Sequence, residues 1–292
     1  MEYKLKSSEL EVRVSSVGSE LIEIKRNDGS PVLWNGDERY WKRHSPILFP
    51  FVGRLVDGAY LYKGIRYPMT IHGFISHQEF SLVPSDDSTL HMIFISDDKT
   101  REIYPFDFSF EVVYELKGNK LDASFIVGNR GDKPMHYGFG LHPGFCVPME
   151  AGLDFDDYYI DFENHGEIKQ EVFSAACFDT GKSEDCQYLS ADSRMNLFHG
   201  MFDSDAICLK GTGHSLVLKS DKGNRALRVS HDAPYLSLWH TVGTDAPFIC
   251  IEPWHSLPAM DGEVIDLETK KDFKLLLPGC SETYKLELEV IQ

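Results

Sequence analysis

The segment Phe248-Ile249-Cys250-Ile251-Glu252-Pro253-Trp254 runs an apolar alternation straight into a carboxylate, a proline and an indole. Packing alone gives no reason for a buried-strand pattern to stop that way. A glutamate at such a strand end sits half-dry, where its proton affinity rises and it can act as a base. The indole beside it offers a flat apolar face of the kind on which a sugar ring stacks. Glu252 fits equally well as a solvated residue opening a loop. An acid to partner this base is found in Gly138-Phe139-Gly140-Leu141-His142-Pro143-Gly144-Phe145. Glycines and a proline around one imidazole fix the turns and leave room for a ligand beside His142. Histidine is the side chain best able to donate a proton near neutral pH. His136, on the strand leading in, is placed behind it.

Three further segments set polar groups in unusual company. Arg54, in Pro50-Phe51-Val52-Gly53-Arg54-Leu55, is costly to bury unless paired or bonded to a ligand. It also fits a part-exposed hairpin residue. His72, in Ile71-His72-Gly73-Phe74, precedes a glycine that lets the backbone approach something closely. Alone it reads as a core or capping histidine. Asp203 and Asp205, in Met201-Phe202-Asp203-Ser204-Asp205-Ala206, precede an apolar strand. Either carboxylate can accept from adjacent hydroxyls, and either can form an ordinary Asx turn.

Other chemistries find little support. The 12 histidines include no H-x-H or HExxH spacing, and the cysteines form no CxxC pair, so no metal site is expected. No G-x-S-x-G marks a serine hydrolase, and neither glycine-rich phosphate-cradling pattern is present.

The elements that must position these groups are strands. Phe106, Phe108, Phe110, Val112, Tyr114 and Leu116 share one face of a long alternating run. Lys117-Gly118-Asn119-Lys120 turns the chain, and Leu121, Ala123, Phe125 and Val127 resume the pattern as a hairpin. A second hairpin is expected over Leu216–Val229, a third around Lys63-Gly64, and a closing strand over Tyr284–Val290. Glu38–His44 has room for a helical turn or two, and no longer helix is expected. Asp154-Phe155-Asp156-Asp157 reads as an exposed loop without calcium-loop spacing. Strands at short intervals without intervening helices indicate an antiparallel all-β sandwich. No linker divides the chain, so one domain over 1–292 is expected.

Composition narrows the partners. The chain has 292 residues, 42% hydrophobic, with 19 Phe, 13 Tyr and 4 Trp, enough for a large β core. Its 29 basic and 46 acidic residues give a formal charge of −17. That disfavours nucleic acid and anionic membranes and leaves a neutral small molecule as the natural partner. No signal peptide or membrane span is apparent, and the unpaired cysteines suit a cytoplasmic setting.

In order along the chain, Phe51-Val52-Gly53-Arg54-Leu55, Ile71-His72-Gly73-Phe74, Leu141-His142-Pro143-Gly144-Phe145, Phe202-Asp203-Ser204-Asp205-Ala206 and Cys250-Ile251-Glu252-Pro253-Trp254 resemble the aldose 1-epimerase (galactose mutarotase) family, in particular its short bacterial LacX-like branch. The resemblance covers roughly Leu10 to Leu288. It implies an antiparallel β-supersandwich with a site on one concave sheet. It also implies Glu252 as general base and His142, protonated at rest, as general acid. Arg54, His72 and Asp203 would bind sugar oxygens, with Asp205 an alternative to Asp203, and Trp239 would line the site. The expected function is interconversion of hexose anomers without a cofactor, by a monomer or homodimer.

The hydroxyl-reading motifs depart from the long mutarotases. Gly53 stands where an Asn commonly precedes the arginine, the His-Gly-Gly motif reads His72-Gly73-Phe74, and the Asn-His-x-Tyr-Phe loop reads Leu141-His142-Pro143-Gly144-Phe145. Reaction class is therefore implied more firmly than galactose. Three alternatives stay open. One is a hexose-6-phosphate mutarotase using Lys42, Arg43 and Arg54. The second is a non-catalytic sugar-binding protein. The third is a glycoside hydrolase or lyase using Asp203 or Asp205 with Glu252.

Overall fold

The computed structural model describes residues 1–86 and 88–291. Two large antiparallel sheets dominate. The nine-stranded sheet runs, in spatial order, Arg194–Asn196, Tyr159–Glu163, Ser215–Lys219, Ala226–His231, Ser281–Ile291, Lys120–Asn129, Phe108–Lys117, Thr89–Ile95 and Ser81–Val83. The eight-stranded sheet runs Asp179–Asp185, Lys169–Phe173, Ile207–Lys210, Tyr235–Trp239, Phe248–Trp254, Gly140–Leu141 and Ile47–Leu48, with Gly144–Cys146 pairing onto Phe248–Trp254 off that path. A three-stranded sheet of Glu2–Lys6, Leu10–Ser15 and Leu21–Arg26 lies outside both. The antiparallel all-β architecture is the one expected.

Successive strand residues point to opposite faces, and this period of two decides where the chemistry goes. On the eight-stranded sheet, Ile249, Ile251, Leu236, Leu238, Ile207 and Leu209 enter the main core. There they join Phe110, Val112, Phe125, Val127, Leu286 and Leu288 from the nine-stranded sheet. Burying each such side chain stabilises the fold by about 1.5–3 kcal/mol. A slip of one residue would drive Glu252 into that core and lift Ile251 out, so the apolar set fixes the carboxylate on the opposite face.

The hairpins form where the turn residues demand. Leu121 pairs with Leu116 across the Gly118-Asn119 turn, and Ser215–Lys219 pairs with Ala226–His231. Ala59–Tyr62 pairs with Ile65–Pro68 around Lys63 and Gly64, both at positive φ. Some boundaries differ. The long strand begins at Phe108, although Phe106 is buried beside it. The Glu38–His44 stretch yields only one turn, in which the Tyr40 and Trp41 amides both donate to the Asp37 carbonyl at 3.0 Å. Among the described residues the α-helix is instead at Asp98–Ile103, set by a capping box between Asp97 and Thr100. Around the Asp154 patch, Phe155 is buried and Asp157 pairs with Lys222.

Gly73 shows how tightly the backbone closes behind the site. It has φ +76, and a Cβ added there would lie 2.1 Å from the Phe49 carbonyl oxygen. Gly73→Ala is therefore expected to cost at least about 1–3 kcal/mol and to lower the melting temperature by several degrees in calorimetry. An unchanged melting temperature would mean the 71–74 turn is not held as described.

Candidate active site

A cavity of about 770 Å³ opens on the face of the eight-stranded sheet that points away from the main core. Glu252 lies in its floor. Cys250, Glu252 and Trp254 occupy the cleft face of their strand, and Trp254 pairs in register with Gly140. Glu252 is 1% exposed, and its Oε2 has no hydrogen-bond partner. Burial holds its carboxyl well above the ordinary value of 4.5. The nearby Trp254 indole N–H partly opposes that, without a well-formed hydrogen bond, and the charge of Asp205 adds to it.

His142 approaches from the loop between Gly140–Leu141 and Gly144–Cys146. Its Nε2 stands 3.3 Å from Glu252 Oε2, and its backbone N–H donates to the Pro46 carbonyl at 3.1 Å. The ring stacks on Trp41 at 4.9 Å and meets Trp239 edge-on at 5.7 Å. The glycines around it, expected to leave room for a ligand, instead admit this wall. A Cβ on Gly144 would lie 3.1 Å from Trp41, and one on Gly140 would lie 3.0 Å from Trp254. His142 is 9% exposed, and burial pushes its imidazole well below the ordinary 6.5, with His72 and Arg43 adding to the effect. Burial thus opposes the resting imidazolium that was expected. The groups packed around this ring include the Trp41 and Trp239 indoles and the Glu252 carboxyl, whose ionisation burial also opposes.

Arg54, His72 and Trp239 also line the cavity. His72 has φ +63, and its Nδ1 accepts from the Gly53 N–H at 3.2 Å. Burial lowers its pKa to about 4, so near neutral pH the ring is uncharged and carries its hydrogen on Nε2. Arg54 is exposed and, among the described residues, has no ion pair. Asp203 does not line the cavity. It is exposed and ends the His199–Phe202 turn in helical conformation. Asp205, at φ +80, faces the cavity and accepts from the Cys177 thiol at 3.0 Å. Lys42 and His136 also lie outside the lining, while Arg43 lines it but is committed to Glu20 at 2.9 Å.

Several lining groups were not singled out from the sequence. Trp41 sits in the stretch expected to be a helical turn, and its only signal was an aromatic pair beside basic residues. Phe173 and Glu171 come from the Lys169–Phe173 strand, which pairs on both sides and whose mixed polarity gave no strand signal. Cys250, on the same strand as Glu252, is fully buried. It brings a sulfur within 4.8 Å of donor atoms of both His142 and Glu252, a grouping with the ligand types of a metal site. No helix among the described residues is long and apolar enough to cross a membrane.

The aldose 1-epimerase family model matches residues 1–270. The plasmid-encoded protein LacX of Lactococcus lactis subsp. lactis is 31% identical over 289 residues, 95% of each chain. A galactose mutarotase related enzyme from Lactobacillus acidophilus superposes with a TM-score of 0.94 at 29% identity, over 99% of this chain and 97% of that one. A galactose mutarotase-like protein from Lactobacillus casei also gives 0.94, at 28% identity, over 99% and 100%. The β-sandwich architecture and the ordered motifs thus have one explanation: the chain belongs to the aldose 1-epimerase family.

Proposed function

We propose that this chain is a mutarotase that interconverts the α and β anomers of an aldose, with Glu252 as base and His142 as acid. Family membership supports a mutarotase-type isomerase acting on a sugar. The observation that carries the residue assignment is the Glu252–His142 pair, 3.3 Å apart in a cavity floor, each displaced from its ordinary proton affinity. A site that only holds sugar gains nothing from two such groups, whereas proton transfer does.

In ring opening, the Glu252 carboxylate takes the proton of the C1 hydroxyl while the His142 imidazolium gives one to the ring oxygen. The C1–O5 bond breaks and an open-chain aldehyde forms. Rotation about C1–C2 turns the other carbonyl face toward the C5 hydroxyl. On closure His142 recovers its proton and Glu252 returns one to O1. The pair carries one proton throughout: carboxylate with imidazolium before opening, carboxylic acid with imidazole after it. Burial favours the second form, and the 3.3 Å contact is short enough for a proton to pass between the two groups.

His72 Nε2–H and Arg54 supply neutral and charged donors to sugar oxygens, Asp205 accepts from adjacent hydroxyls, and Trp239 offers a stacking face. Asp205→Asn is expected to raise KM roughly tenfold, the loss of about one charged hydrogen bond, while Asp203→Asn stays within about twofold. Equal effects of the two would remove Asp205 from the site. The free sugar is preferred over a phosphosugar because Lys42 lies outside the lining and Arg43 is already neutralised by Glu20, so that of the three only Arg54 would face a phosphate, while Asp205 and Glu184 bring negative charge to the same walls. Polarimetric decay of freshly dissolved α-D-glucose and α-D-galactose tests the proposal. Acceleration in proportion to protein concentration supports it, and decay at the buffer rate with both sugars and with glucose 6-phosphate would refute it.

A further inference from the structure

The backbone that carries His142 hangs on a segment with no ladder of its own. The His142 N–H donates to the Pro46 carbonyl at 3.1 Å, and the Gly144 N–H donates to the His44 carbonyl at 2.8 Å. Residues 34–46 form neither strand nor helix, so no regular hydrogen-bond pattern fixes that segment. The same stretch supplies Trp41, whose ring stacks on His142 at 4.9 Å. Where this segment stands therefore decides where the His142 ring stands. Moving the ring by about 1 Å takes its 3.3 Å contact with Glu252 out of hydrogen-bond range.

One side chain fastens the segment. Glu20 is 7% exposed, and its Oε1 accepts from the N–H groups of His44 at 2.9 Å and Ser45 at 3.0 Å. Its Oε2 accepts from Arg43, Nη2 at 2.9 Å and Nε at 3.2 Å. Donors from three consecutive residues thus converge on one buried carboxylate. Such a group is costly unless fully bonded, and once bonded it holds its partners in one geometry. Glu20 is itself anchored. Gly18 and Ser19 turn at φ +71 and +47 into the Leu21–Arg26 strand, and the Gly18 N–H donates to the Gln78 carbonyl at 2.7 Å. The buried Tyr114 hydroxyl, on the Phe108–Lys117 strand, donates to the Ser19 carbonyl at 2.7 Å. The path thus runs from the nine-stranded sheet through Tyr114, Ser19 and Glu20 to the 44–46 backbone, and from there to His142.

Building on the mutarotase reading, we infer that Glu20 is a positioning residue for the reaction, clamping the 43–45 segment so that His142 stands within reach of Glu252. Glu20 does not line the cavity. Arg54, His72, Asp205 and Trp239 arrive on other segments, so the clamp acts on the chemical step rather than on sugar binding. What the clamp needs is reach. Aspartate keeps the charge but is one methylene too short to meet His44 and Ser45 from the same backbone. Glutamine loses the charge but keeps an oxygen at the same reach, and Arg43, 26% exposed, can turn to water.

The test is anomer exchange measured by NMR on glucose and galactose for wild type, Glu20→Asp and Glu20→Gln at matched folded concentration. Glu20→Asp is expected to lower kcat about tenfold or more with KM within about twofold, and Glu20→Gln to keep kcat within about threefold. The second readout is the shifts of the His142 ring protons, which the stacked Trp41 moves upfield through its ring current. They are expected to stay in place in Glu20→Gln and to move downfield in Glu20→Asp. A loss of stability alone lowers the folded fraction and leaves the shifts of the folded state where they were. Wild-type kcat or unmoved ring shifts in Glu20→Asp, or Glu20→Gln impaired as much as Glu20→Asp, overturns the clamp and leaves the mutarotase intact. Wild type that accelerates no sugar overturns the mutarotase reading, and the ring shifts then still decide whether Glu20 places His142.

Discussion

Glu252→Gln is expected to lower kcat by about 10²–10⁴ while leaving the protein folded and, above mildly acidic pH, more stable than wild type. Glutamine keeps the shape and the hydrogen-bonding oxygen but cannot take the C1 hydroxyl proton. Loss in kcat with little change in KM would mark a group acting in the transition state. The stability gain follows from the raised carboxyl. In the folded chain Glu252 holds its proton well above 4.5, whereas unfolded it titrates near that value. As pH rises past 4.5 the unfolded chain releases a proton that the folded chain keeps, so wild-type stability falls with a slope of up to about 1.4 kcal/mol per pH unit. The decline ends once the folded group ionises as well. Glutamine has no such dependence, so its advantage in melting temperature is absent below pH 4.5 and grows above it. A variant less stable than wild type at neutral pH would show that Glu252 is not a buried, destabilising carboxyl.

His142→Asn is expected to lower kcat by a similar factor, and its residual activity should respond to pH in the opposite sense from that of Glu252→Gln. Wild type works with one proton on the pair. Adding a second requires charging an imidazole that burial holds below 6.5, and removing the one present requires ionising a carboxyl held above 4.5. The acid limb of the rate profile should therefore lie below 6.5 and the alkaline limb above 4.5, as properties of the pair. With histidine gone, the remaining base works only when ionised, so residual activity rises with pH. With glutamate gone, the remaining acid works only when protonated, so residual activity falls with pH. The double variant should be little worse than either single one, because both act in one step. Residual activities that shift in the same direction would dissolve the pair.

The legibility of this site follows from local pattern. Glu252 and His142 were readable because each interrupts an apolar or glycine-rich run with a titratable group. The strand faces were readable because Ile249 and Ile251 alternate with Cys250 and Glu252, and the core accepts only one of those sets. Asp205 could not be separated from Asp203 in the sequence. Two residues of the same type precede one strand, and the choice is made by the backbone, with Asp203 helical and Asp205 at φ +80. The burial that opposes a charge on His142 was not legible, because it depends on what encloses the ring. Trp41, Trp239, His72 and Arg43 arrive from distant segments, and nothing near His142 in the sequence announces that they meet around it.

The central claim is that this pair moves protons on the anomeric centre rather than merely holding a sugar. The most direct test is two-dimensional exchange NMR on a C1-labelled hexose at anomeric equilibrium, for wild type beside Glu252→Gln and His142→Asn at matched folded concentration. The account predicts α–β exchange peaks at C1 that grow with wild-type concentration and drop to the buffer level in both variants, with sugar binding still visible by saturation transfer. Exchange that persists in Glu252→Gln, or wild-type binding with exchange at the buffer rate, would contradict it.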